Sequence, residues 1–111
     1  MKKTLVLALV QVLGLTVSGW ALGAGEEQIG LICRIQIQDN NKAYISPCDG
    51  WTTKNGCLHT GPWITWKVDN EAGKLMYSTA LSAYAANKPV MIRLDGSLCD
   101  GYDVTRMIRA Q

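Results

Sequence analysis

The chain has no phenylalanine and a single histidine, His59, among its 111 residues. One imidazole gives a serine or cysteine nucleophile only one candidate base, and no third group that would orient that base is evident. Enzymatic chemistry is therefore not expected, and His59 reads as a structural or solvent-facing loop residue. Phosphate-cradling glycine loops are missing too, since Gly96 and Gly101 bracket a turn and do not open a helix. Short Cys-x-x-Cys knuckles are absent, and the wide spacing of Cys48, Cys57, His59 and Cys99 does not suit structural zinc. The acids Asp95, Asp100 and Asp103 cluster around Cys99 without the regular ligand spacing of a calcium loop, so they read as a solvated turn. No metal or other cofactor is expected. There is also no repeat and no run of like charge.

What is present begins with a leader. Lys2 and Lys3 precede an apolar run from Thr4 to Trp20, followed by the small-residue stretch Ala21, Leu22, Gly23, Ala24 and then polar Gly25, Glu26, Glu27 and Gln28. A charged start, an apolar centre and small residues before a polar stretch describe a secretory signal peptide. Residues 1–24 are assigned to it, and residues 25–111 to a single exported domain in the periplasm or beyond, with no membrane span after cleavage. Removing the leader from 111 residues leaves 87, and removing Lys2 and Lys3 from 11 basic residues leaves nine against nine acidic ones. A neutral domain lacks the driving term for nucleic-acid binding.

All four cysteines fall in the exported part, where two disulfides would stiffen a small core. Residues 29–38 alternate, with Ile29, Leu31, Cys33, Ile35 and Ile37 on one face of a predicted strand. Asn40 and Asn41, read as a two-residue hairpin turn before the returning strand 42–46, set a register that places Cys33 opposite Cys48 just past that strand. That register suggests Cys33–Cys48 and leaves Cys57–Cys99, although four cysteines allow three pairings. A strand over 62–68, a helix over 74–86 and strands over 90–94 and 104–110 complete the order. The helix is expected to bury Leu75, Met76, Thr79, Ala80, Ala83 and Tyr84. Three strands, one helix and two strands are the arrangement of a five-stranded OB-like Greek-key barrel.

The aromatics are the one suggestive chemistry. Trp66 and Tyr84 read as core, whereas Trp51 and Tyr102 lie in Gly/Asp-rich loops and are candidate ligand contacts, with Asn40 and Asn41 at the hairpin tip. An apolar ring with a polar handle suits stacking on sugars or packing at an interface.

The run LMYSTALSAYAANKPVMIR at 75–93, with Gly30, Leu31 and Ile32 early on and Asn40, Asn41, Lys42, Ala43 and Tyr44 before Cys48, resembles the receptor-binding B subunits of subtilase cytotoxin and typhoid toxin. It is also similar to small exported bacterial proteins. The likeness spans 29–109. It implies an OB barrel, assembly as a homo-pentameric ring and binding of sialylated glycans. Ile29 stands where that family has its key serine, and isoleucine cannot hydrogen-bond a carboxylate. The resemblance thus bears on fold more than on ligand. The expected function is a non-catalytic binding module for a glycan or a protein. The alternative is a structural or inhibitor-like protein that grips one partner through a strand edge or the Cys48–Cys57 loop.

Overall fold

The computed structural model describes residues 25–111, so the assigned leader lies outside the described residues. The chain is mainly β with one helix: β1 (Glu26–Gly30), β2 (Ile32–Ile37), β3 (Lys42–Pro47), β4 (Ile64–Lys67), α1 (Glu71–Ala86), β5 (Val90–Asp100) and β6 (Tyr102–Ala110). The strands form one sheet in the order β1-β5-β6-β4-β3-β2, antiparallel except where β4 meets β6. The two outermost strands are consecutive in the chain, separated only by Leu31. Joined as one strand, β1 and β2 pair with β5 along the first half and with β3 along the second, which closes the sheet on itself. That connectivity, with a helix between the third and fourth barrel strands, is the OB arrangement.

The expected count of five therefore becomes six, because the first strand breaks. Gly30 has φ +67, a backbone state that glycine adopts without strain, and Leu31 lies between the halves with its carbonyl accepting from Cys48 N at 2.9 Å. A second shift falls between Ile32 and Arg34. Together they change the phase of the strand, so the expected alternating face is corrected. Ile29 and Ile32 are buried, whereas Cys33 is exposed and Ile37 is 50% exposed.

The hairpin also differs by one residue. Ile35 faces Ile45 and Ile37 faces Ala43, Gln38 N donates to Lys42 O, and Asn41 N donates to Gln38 O. The loop is thus Asp39, Asn40 and Asn41, a turn closed by Asn41 at φ 61. The disulfides are nevertheless Cys33–Cys48 and Cys57–Cys99. The shift at Ile32/Arg34 absorbs the slip, leaving the Cys33 and Cys48 Cα atoms 4.7 Å apart.

Inside the barrel, Ala43, Ile45, Ile64, Val90 and Ile92 are fully buried, with Trp66 and Ile108 beside them. The helix packs on β2 and β6 through Gly73, Ala80 and Ala83, with Met76 and Tyr77 partly buried against the same core. The expected face was rotated: Leu75 is 62% exposed and Tyr84 43%. Asn70 caps the first turn by accepting from Gly73 N at 2.8 Å, and Asn87 ends the helix in the left-handed region. Asn70→Ala is expected to cost about 1 kcal/mol in urea unfolding, a cap's usual worth.

Candidate functional site

Two arrangements organise one end of the barrel, a buried carboxylate and an aromatic face. Asp103 on β6 is 1% exposed. Its Oδ2 accepts from Trp51 Nε1 at 3.0 Å and Lys54 N at 2.7 Å; its Oδ1 accepts from Thr53 Oγ1 at 2.7 Å and Asn55 N at 3.3 Å. The reading of Asp103 as a solvated turn acid is thereby corrected. It is the post to which the 48–63 loop is tied. Asn55 continues the attachment, donating through Nδ2 to Gly96 O and Leu98 O on the part of β5 that β1 does not reach. Sulfur atoms of Cys57 and Cys99 lie close to Asp103, but both are committed to a disulfide and the carboxylate is filled by its four donors. That donor set does not suit a metal ion.

Trp51, a candidate for ligand stacking, serves this loop. It is half-buried, packs on the core, spends its indole N–H on Asp103 and carries the Lys54 ammonium 5.2 Å from its ring centre. The remaining opening beside it, about 330 Å³, runs along Asp49, Gly50, Thr52 and Lys54.

The aromatic face lies on the side of β3 away from the core. Ala43 and Ile45 point inward, so Tyr44 points outward, where Trp63 and Tyr102 flank it edge-on at 6.2 and 6.1 Å. Barrel pairing sets this up: Tyr44 faces Thr65 across β3/β4, and Ile64 beside Trp63 faces Asp103 beside Tyr102. His59 N donates to Gly101 O at 2.8 Å, and its ring lies 5.0 Å from that of Tyr102. A Cβ at Gly101 would stand 2.7 Å from the imidazole, so glycine permits this approach. Arg34 holds its guanidinium 5.7 Å from the Trp63 ring centre.

The hairpin tip joins this face. Asn40 Nδ2 donates to Tyr44 OH at 3.3 Å, and Lys42 Nζ meets Asp100 Oδ2 at 2.8 Å, bridging the 39–41 loop to the β5–β6 turn. Asn40 and Tyr102 are therefore brought to one face. Asn41 works through its backbone, accepting from Val68 N at 2.8 Å. Sequence reasoning missed Tyr44 and Trp63. The available signal was a tryptophan on the Thr65/Lys67 side of its strand, opposite the core-facing Ile64 and Trp66.

The hydrogen bond to Asp100 raises the Lys42 pKa above the usual lysine range. A raised folded value means that the pair's contribution is complete below the ordinary lysine pKa and is lost as pH rises through the folded one. NMR titration of the Lys42 amine is thus expected to show a midpoint above that of the exposed lysines, and Asp100→Asn is expected to remove the difference.

A separate groove of about 450 Å³ opens between the start of α1 and the β5–β6 hairpin, lined by Trp66, Met76, Leu98 and Arg106 among others. None of Asn40, Asn41, Trp51 or Tyr102 lines it.

Among the described residues, no helix is long and apolar enough to cross a membrane. Comparisons with protein-family models, curated proteins and solved structures find no match.

Proposed function

We propose that the protein is an exported, non-catalytic carbohydrate-binding module of OB type, its ligand lying across Trp63 and Tyr102. The observation that carries this is the outward cluster of Tyr44, Trp63, Tyr102 and His59 between two loops, rimmed by Arg34 and Asn40. The corresponding face and loops of OB barrels take oligonucleotides or oligosaccharides. Charge decides between them. Lys42 is neutralised by Asp100, and Arg34 together with Lys67, which faces Lys42 across β3/β4, is too little to hold a phosphate backbone. Rings beside amide and guanidinium donors suit a sugar's apolar face and its hydroxyls.

The resemblance to toxin B subunits supports the same reading and adds ring assembly, which native mass spectrometry would register as a pentamer. Ile29, standing where that family has serine, is buried in the core, so the ligand is assigned to the aromatic face instead. Glycan-array screening of purified 25–111 is expected to give hits. Trp63→Ala or Tyr102→Ala should weaken the best hit by about 30-fold or more, as for a central aromatic contact, with unchanged circular dichroism. Silence across the array would end the carbohydrate reading.

A second reading, binding of one partner protein, is favoured by the exposed Leu75, Leu81 and Tyr84 of α1. A stoichiometric partner in a pull-down, lost in Leu81→Glu and kept in Trp63→Ala, would select it.

A further inference from the structure

The two disulfides differ in what surrounds their sulfur atoms. Cys57 is 5% exposed, and its Sγ stands 3.1 Å from Oδ1 of the buried Asp103. A disulfide sulfur carries no hydrogen, so this is a carboxylate in contact with sulfur and not a hydrogen bond. Exchange begins when a thiolate attacks one sulfur and expels the other as a new thiolate. Attack at the exposed Cys99 would expel Cys57 as an anion against Asp103, in a site closed to water. Attack at Cys57 would bring the incoming thiolate into that same site. Both routes set two negative charges side by side where they are poorly screened. Cys33 and Cys48, by contrast, are both exposed, and their sequence neighbours Arg34 and Asp49 are exposed charges of opposite sign.

We propose that Cys33–Cys48 is a thiol–disulfide exchange site open to a dithiol, small or protein-borne, and that Cys57–Cys99 is a permanent staple. The thiolate of the dithiol bonds to one sulfur of the pair, the Cys33–Cys48 bond breaks, and the expelled thiolate takes a proton from water. The second thiol of the reagent then closes on the first, releasing the other cysteine as a thiol. The protein gains two electrons and two protons, and the dithiol leaves as a disulfide.

The location gives the exchange a consequence. Cys33 sits within the register shift between Ile32 and Arg34, and the Arg34 guanidinium lies over Trp63. Opening the bridge frees that irregular step while the Cys57–Cys99 staple and the Asp103 bonds hold the loop. The aromatic face is thereby altered without loss of the fold. Its meaning for ligand binding rests on the carbohydrate reading; the chemistry does not.

The test uses folded protein and dithiothreitol at mildly alkaline pH, with timed alkylation by iodoacetamide and peptide mapping of all four cysteines. Cys33 and Cys48 are expected to label at least ~10-fold faster than Cys57 and Cys99, with far-ultraviolet circular dichroism unchanged and tryptophan fluorescence shifted. Parallel labelling of both pairs, or earlier labelling of Cys57 and Cys99, would overturn the proposal. The double variant Cys33→Ser/Cys48→Ser is expected to stay folded and to resist labelling over the same interval. Its unfolding, or rapid labelling of Cys57, would also overturn it. No glycan enters this experiment, so a silent array leaves its outcome intact.

Discussion

Asp103→Ala is expected to destabilise the domain by about 3–5 kcal/mol in urea unfolding, a large part of what a small domain has to lose. The carboxylate is 1% exposed, and each of its oxygens accepts two hydrogen bonds. Alanine would leave the Trp51 indole N–H, the Thr53 hydroxyl and the backbone N–H groups of Lys54 and Asn55 without their acceptor. A buried donor left unsatisfied costs about 1–3 kcal/mol. The total stays below four full penalties because part of the loop can swing out to water. Cys57–Cys99 limits that escape, since it tethers the loop to the same hairpin. Asp103→Asn should recover at most half of the loss. One amide oxygen can replace one carboxylate oxygen, but the NH2 then faces two donors. A cost below about 1 kcal/mol for the alanine variant would show that the loop is held by the disulfide and not by the carboxylate. Loss of order near Trp51, visible as a red-shifted fluorescence, should accompany the destabilisation.

This carboxylate also shows where a sequence stops being informative. Asp103 is one of three acids near Cys99, and its four donors lie 48 to 52 positions away. Nothing local separates it from a solvated turn acid, because its partners exist only after the barrel has formed. The barrel itself was more legible. Alternation of apolar residues, one uninterrupted helical run and turn residues at the right intervals define the order of strands and helix. Periodicity could not register the break at Gly30–Leu31, because a change of φ sign leaves the residue types unaltered. Cys33–Cys48 was reached through a register one residue away from the observed one. The pairing survived because a local shift brings the two residues within disulfide reach. On the helix, Tyr77 and Tyr84 have the same chemistry, yet Tyr77 is half-buried and Tyr84 exposed, as the contact of Ala80 and Ala83 with the barrel dictates. For the aromatic face, Asn40 and Tyr102 were readable from their turns. Tyr44 and Trp63 were not, since their meeting depends on which strands the barrel places side by side.

Gly73 provides the other large expected effect, and there the sign of the result discriminates. Glycine inside a solvent-facing helix is worth about 1 kcal/mol less than alanine, so replacing it would ordinarily stabilise. From the sequence the helix is expected to begin at Lys74. The helix in fact starts at Glu71, and Gly73 is buried in its first turn. An alanine Cβ there would stand 1.9 Å from the Lys67 carbonyl oxygen and 3.0 Å from Val68 Cα. Those are backbone atoms at the end of β4 and cannot rotate aside. Relief requires the first turn of α1 to move off the barrel. That movement would strain the 3.0 Å hydrogen bond from Trp66 Nε1 to Gly73 O, and Trp66 belongs to the core. Gly73→Ala is therefore expected to cost about 3 kcal/mol or more net of the propensity gain. At ~4–8 °C per kcal/mol for a domain of this size, the melting temperature should fall by roughly 12 °C or more. A stabilised variant would mean that the helix does not rest on β4 this closely, and it would remove the helix-to-strand contact from the account of the fold.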